Sequence, residues 1–334
     1  MLCPHFPQCK GCTSQSSYQE QLYDKRAKLK ELFGFDVSIE TGTQTYYRNR
    51  LDFSFDGTLG FGMDITECIL MSPESNALFK IVREKLAEYK ISSDFLKFVS
   101  IREGKFTKQV MLSFITSTGE HNDFEKVIDE IDAAAKINSI CWVVNPDDNS
   151  CKGLLFKSFN KEYITERFDK NLFKIMHDTP FPVNSVLGMK IWKDIKGYIP
   201  VKSTLASFHA GSGALDAFIS EKAGKILSVT NDPVAKQNAS ANKAVNIEFV
   251  SKEDALKIEN RADTALLVPP FEGIGKLAGN LKNFKRIIYH SCNPASLVKD
   301  ISELKEFGIS TIRAYDCYPN TPYFELLVVL DWRG

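Results

Sequence analysis

The 334-residue chain has no excess of charge of either sign, since 42 Lys and Arg balance 42 Asp and Glu for a formal net charge of +0. Such a chain presents no global electrostatic footprint for a polyanion, so any nucleic-acid surface has to be local. It also lacks an apolar run approaching the roughly 20 residues that cross a bilayer, and its first residues show no basic region followed by an apolar one. These absences predict a cytoplasmic protein without membrane contact. There is no internal repeat and no low-complexity segment. The chain does contain 43% hydrophobic residues, enough for a sizeable core, and its length predicts two domains or one large one. With no secretory signal in view, its 8 cysteines are expected to be thiols or metal ligands rather than disulfides.

Those cysteines are unevenly spread. Cys3, Cys9 and Cys12 fall in an irregular stretch with two prolines and a glycine, and C-x5-C-x2-C spacing lets three thiolates bend around one centre. A fourth ligand is then required. A closed tetrahedral zinc site and a [4Fe–4S] cluster both take four thiolates, and spacing does not separate them. Tyr18 to Phe33 follows a helical pattern with Leu22, Leu29, Leu32 and Phe33 inward and Lys25, Arg26, Lys28 and Lys30 outward. Tyr46 to Phe55 alternates as a strand that turns at Asp56-Gly57. Arg48 and Arg50 would share one face of it, suited either to successive phosphates or to a structural ion pair. Helices over 75–90 and 124–136, with strands over 98–103, 109–115, 139–145, 154–159 and 163–167, make residues 41–178 an α+β region without catalytic motifs.

From about residue 178, apolar strands and helices alternate as in a doubly wound α/β domain. Ser207 to Ala214 stands at its first strand-to-helix turn, where Gly211 and Gly213 let backbone approach a ligand closely. A strand over 225–230 and a helix over 232–242 follow. Nearer the C-terminus, a strand over Arg286 to His290 delivers Cys292 of Ser291-Cys292-Asn293-Pro294 to the sheet edge where ligands bind in such folds, and a helix runs from Ala295 to Leu304. Glu325, after Tyr318-Pro319-Asn320-Thr321-Pro322-Tyr323-Phe324, opens the last apolar strand, Leu326 to Leu330. A thiol nucleophile and a carboxylate base are thus predicted at neighbouring strand ends. The bland alternative is a buried apolar cysteine and an edge-strand charge.

The Ser-Cys-Asn-Pro segment followed by the Tyr318–Glu325 segment resembles the RNA uracil-5-methyltransferase family. The cysteine-rich opening and Tyr47-Arg48-Asn49-Arg50 extend the resemblance over nearly the whole chain. It implies a class I (Rossmann-like) methyltransferase domain over 179–334, a central α+β RNA-substrate domain over 41–178, and an iron–sulfur segment with a basic helix over 1–40. Cys292 would add to uracil C6 and Glu325 would remove the C5 proton. S-adenosylmethionine (SAM) would be held by His209, Gly211, Gly213, Thr230 and Asp232. Cys68, in Glu67-Cys68-Ile69-Leu70, would join Cys3, Cys9 and Cys12 around a [4Fe–4S] cluster, with zinc as the alternative. Arg48 and Arg50 would contact RNA. The likeness is to the short iron–sulfur branch without an N-terminal RNA-binding TRAM barrel. This implies a monomer acting on an accessible uridine of ribosomal RNA, in preference to tRNA.

The cofactor pocket departs from the family pattern. Ser207 and Thr230 stand where acidic residues are usual, Pro182 replaces a glutamine, and Val268-Pro269-Pro270 replaces Asp-Pro-Pro. Each lost side-chain hydrogen bond to a buried polar ligand is worth about 1–3 kcal/mol. Other residues, such as His209, Asn231, Asp232 or Glu272, are then expected to hold the cofactor. Otherwise the chain is a relative that binds or remodels RNA, or one that uses another one-carbon donor.

Overall fold

The computed structural model describes residues 3–119, 121–147, 150–258 and 261–334. The chain divides into two compact units that are not consecutive in sequence: Met1–Gln15, Thr43–Arg167 and Lys174–Ser185 form one, and Ser16–Gly42, Phe168–Phe173 and Val186–Gly334 the other. Among the described residues no helix is long and apolar enough to cross a membrane.

The first unit is built on a six-stranded sheet in the order Leu59–Gly60, Arg50–Phe55, Leu96–Glu103, Val110–Thr116, Ser139–Val144, Leu154–Asn160. Only the Val110–Thr116 and Ser139–Val144 neighbours are parallel. Strict alternation in Arg50–Phe55 buries Leu51, Phe53 and Phe55. Helix Pro73–Glu88 starts with proline in its first turn and Ser72 accepting from the Ser75 amide, a pairing that satisfies one orphan donor and pre-sets the helical φ. Its Leu78, Phe79, Val82 and Leu86 join the same core as Phe53 and Phe124, with the Phe53 and Phe79 rings 4.6 Å apart. Regular pairing begins at Arg50 rather than at Tyr46, because the Tyr46, Arg48 and Asn49 amides donate to the Ile69, Leu70 and Val183 carbonyls. Arg48 forms an isolated bridge to Asn184.

The second unit is an eight-stranded sheet in the order Ile39–Glu40, Phe307–Tyr315, Glu325–Trp332, Arg286–Ser291, Thr264–Leu267, Thr204–Phe208, Lys225–Val229, Ile247–Val250. Every neighbouring pair is parallel except that Glu325–Trp332 runs antiparallel to both of its neighbours. This is the doubly wound Rossmann-like architecture expected, with strand order reversing beside Thr204–Phe208 so that its C-terminal edge opens to a ligand. The central strands are buried on both faces, as the continuous apolar runs Thr264–Leu267 and Leu326–Leu330 require.

Helix Tyr18–Phe33 belongs to this second unit rather than to the cysteine segment. A Ser17–Glu20 capping box starts it and Gly34 in the left-handed region ends it. Its pattern holds for Leu22 and Leu29, but Lys25, expected outward, is buried. Its ammonium lies 2.6 Å from Asp316, with the two side chains 2% and 0% exposed, and it also donates to the Tyr318 carbonyl at 3.2 Å. A pair this deep is strongly destabilised when one partner is removed, because the other charge remains without compensation. Lys25→Ala should therefore cost about 3–5 kcal/mol in urea unfolding. The apolar double variant Lys25→Met with Asp316→Leu should recover most of that loss.

Candidate active site and cysteine cavity

Strand pairing brings the candidate nucleophile and base together. Ser291 pairs with Leu326 at the end of the Arg286–Ser291 and Glu325–Trp332 ladder. Cys292 and Glu325 each stand one residue past that pair and emerge at the same edge. The turn that carries Cys292 is held by its neighbours. The Ser291 hydroxyl accepts from the Asn293 amide at 3.0 Å. The Asn293 side chain donates to the Phe271 carbonyl at 2.8 Å and accepts from the Ala295 amide at 3.1 Å, which caps helix Pro294–Glu303. Cys292 is exposed to solvent. Partial burial, and then the charges of Glu325 and Glu272, push its thiol up against a smaller lowering from its own backbone amide.

Glu325 is buried, and both of its oxygens have donors. His290 Nε2 lies 2.6 Å from Oε2, a hydrogen bond in which His290 donates when its Nε2 carries the proton. The Tyr318 hydroxyl donates to Oε1 at 2.7 Å. Burial by itself would raise this carboxyl, but His290, Tyr318 and Cys317 together hold it below the ordinary glutamate value. The loop that supplies Tyr318 is pinned by helix Tyr18–Phe33. Besides the Lys25 contacts, Gln21 donates to the Asn320 side chain at 3.1 Å and accepts from the Asn320 amide at 2.7 Å. Sequence reasoning assigned no role to His290, Tyr318 or this anchor. For His290 a signal was available, since it stands near the end of the strand that delivers Cys292 to the sheet edge.

The glycine turn takes left-handed conformations at His209 (φ 60°), Gly211 (φ 52°) and Gly213 (φ 64°). A Cβ at Gly211 would meet nothing within 4 Å, whereas one at Gly213 would come within 2.9 Å of the Ala235 side chain. Gly213 therefore serves packing and Gly211 presents open backbone, as close approach of a nucleotide needs. Thr230, where an acid is usual, braces the turn, with its hydroxyl donating to the Gly211 carbonyl at 2.6 Å. Asp232 Oδ1 accepts from the Val234 amide at 2.8 Å and so stabilises the start of helix Val234–Ala241. The neighbouring Asn231 accepts from the Lys252 amide at 3.0 Å and donates to Glu253 at 3.2 Å. The Ser207 hydroxyl turns inward to donate to Asp216 at 2.6 Å. Burial pushes Asp216 up to about 6 even though Ser207 and Ser228 favour its ionised form.

In the first unit, Cys3, Cys9, Cys12 and Cys68 line one cavity with His5, Phe6, Phe61, Ile65 and Leu70. All four are free thiols. Burial raises Cys12 to about 12 and Cys68 to about 11, and the charges of the other cysteines add to it. His5 Nε2 accepts from the Thr66 amide at 3.2 Å. Among the described residues no group of three or more His, Cys, Asp or Glu side chains is arranged to hold a metal ion, so the expected zinc or iron centre is not formed by these side chains as they stand. Of the two arginines, Arg50 takes the ion-pair alternative, 2.9 Å from Asp52. Arg48 lies near Cys12 and lowers it, and its buried Nε has no hydrogen-bond partner among the described residues.

The C-terminal segment is similar to known proteins. Residues 224–333 match the family described as tRNA (Uracil-5-)-methyltransferase. They include the Cys292 turn, the Tyr318 loop and the Glu325 strand. The chain is 28% identical to the tRNA (uracil(54)-C(5))-methyltransferase of Pyrococcus furiosus, over 97% of this chain and 84% of that protein. It is also 28% identical to an uncharacterized RNA methyltransferase of Thermotoga maritima, over 98% and 84%. Among solved structures, the Pyrococcus abyssi tRNA (uracil-54, C5)-methyltransferase in complex with S-adenosyl-L-homocysteine superposes with a TM-score of 0.80 at 28% identity, covering 97% of this chain and 86% of that one.

Proposed function

We propose that this protein is a SAM-dependent methyltransferase that forms 5-methyluridine in tRNA. The observation that carries the reading is the emergence of Cys292 and Glu325 at one sheet edge, with the turn backbone held open at Gly211 on the same domain. Uracil C5 is too weak a nucleophile to take a methyl group unaided. Addition of the Cys292 thiolate to C6 moves the C5–C6 π electrons onto C5 and O4 as an enolate. SAM, when bound, would supply the electrophilic methyl group for C5. Glu325 then takes the C5 proton, the C5–H electron pair re-forms the C5–C6 double bond, and the C6–S pair returns to Cys292. The target base has to leave its stack, because C6 is covered within it.

The names of the relatives favour tRNA, at the uridine position for which they are named, and ribosomal RNA loses the preference that the sequence resemblance suggested. The reading is tested with tRNA transcripts carrying 5-fluorouridine. Fluorine cannot leave C5 as a proton, so a completed methyl transfer freezes the adduct. A covalent band that needs both SAM and Cys292 supports the proposal. RNA binding without an adduct favours a relative that binds or remodels RNA, and an adduct indifferent to SAM points to another one-carbon donor.

For the cysteine cavity we infer a [4Fe–4S] cluster with Cys3, Cys9, Cys12 and Cys68 as ligands. Such a cluster gives each of four irons one thiolate, which suits thiols lining a shared cavity better than a single ion on which all four converge. Protein purified without oxygen should contain about four irons per chain with matching sulfide. Cys12→Ser should lose most of both, and stoichiometric zinc in place of iron would overturn the assignment.

A further inference from the structure

We infer that His290 is a positioning residue that keeps Glu325 ionised and oriented for removal of the uracil C5 proton. The inference deepens the proposed function and rests on it. A buried carboxylate is a poor base unless something stabilises its charge, because desolvation favours the protonated form. Every ionisable side chain facing Glu325 bears on this. His290 reaches it from the neighbouring strand at 2.6 Å, Tyr318 from the preceding loop at 2.7 Å, and Cys317 and Cys292 also lie against it. Of these only His290 can carry a positive charge. Asp316, the next nearest acid along the loop, is neutralised by Lys25 and so exerts little repulsion on Glu325.

His290 and Glu325 side chains are only 12% and 10% exposed, so their contact is shielded from solvent, where a charge-assisted hydrogen bond is strongest. Both Glu325 oxygens receive a donor, which fixes the plane of the carboxylate while leaving lone pairs for the incoming proton. The proton balance is simple. Glu325 receives the C5 proton, His290 keeps its own, and the thiolate leaves with the C6–S electrons.

The test compares wild type with His290→Ala and His290→Gln, the latter retaining an N–H donor. Release of the C5 proton is followed with tRNA tritiated at C5, across pH. Protonation of Glu325 removes the base, so release has an acid limb at the carboxyl's pKa. Losing the His290 hydrogen bond should move that limb up by about one unit or more, slowing release about tenfold at pH values below it. The yield of the 5-fluorouridine adduct, which does not require proton removal, should stay at the wild-type level, and His290→Gln should restore most of the release rate. An unmoved limb in His290→Ala, or equal loss of adduct and release, overturns the inference. Carbon-13 NMR titration of Glu325 in the free protein separates this from failure of the methyltransferase reading. If the wild type forms no adduct, the functional proposal fails, yet a higher Glu325 pKa in His290→Ala still supports the dyad and an equal pKa still sinks it.

Discussion

Cys292→Ala is expected to reduce methylation of tRNA to the uncatalysed background, a loss on the order of 10⁶-fold, as found when the nucleophile of a covalent mechanism is deleted. The magnitude follows from the chemistry, because without addition at C6 there is no enolate, and neither the cofactor nor Glu325 can substitute for that electron flow. The variant should fold normally. Cys292 is exposed, and the turn around it is set by Ser291 and Asn293, so truncation removes no core contact. Retained tRNA affinity together with a lost 5-fluorouridine adduct is the expected pair of results. An adduct persisting at wild-type yield would show that another side chain attacks C6.

Glu325→Gln should separate the two halves of the reaction. Removing a positioned general base costs about 10²–10⁴-fold, so turnover should fall by that much while the methylated covalent complex accumulates on ordinary, unfluorinated tRNA. The pH dependence of the first half should change in the opposite sense. Ionised Glu325 is one of the charges that hold the Cys292 thiol up, and neutral glutamine removes it. Below the thiol's pKa a larger fraction is then thiolate, so adduct formation in the variant should be faster than in wild type at the same pH. Denaturing gel analysis of rapidly quenched reactions reports both effects. Slow adduct formation in Glu325→Gln would indicate that Glu325 also deprotonates Cys292.

Much of this site was legible in the chain because its signals are local. Ser-Cys-Asn-Pro is a strand end, a turn and a helix start compressed into four residues. Asn293 and Pro294 are the residue types that cap and open a helix, and they place Cys292 at the ligand-binding edge with no knowledge of its neighbours. The same holds for the glycine turn and for the Glu325 strand, whose apolar run announces a buried strand. The two arginines were less readable. Sharing a face presupposed an unbroken strand, but the Arg48 and Asn49 amides donate to the Leu70 and Val183 carbonyls and the regular ladder begins at Arg50.

The departures at the cofactor turn show the limit of position-by-position comparison. Ser207 and Thr230 look like lost ligands in the sequence, but in the fold Ser207 is partnered by Asp216 and Thr230 braces Gly211. Helix Tyr18–Phe33 is a similar case. Its periodicity placed its ends and buried Leu22 and Leu29 correctly, yet Lys25 lies buried because Asp316, 291 residues away, meets it there. The chemistry of each residue and the periodicity of each segment are properties of short stretches, and these sufficed to point to a candidate nucleophile, a candidate base and the class of fold. Which charges meet is set by strand order and loop closure over long separations. The contact of His290 with Glu325 spans 35 residues and exists because an antiparallel strand is inserted beside Arg286–Ser291, a placement that no local pattern encodes.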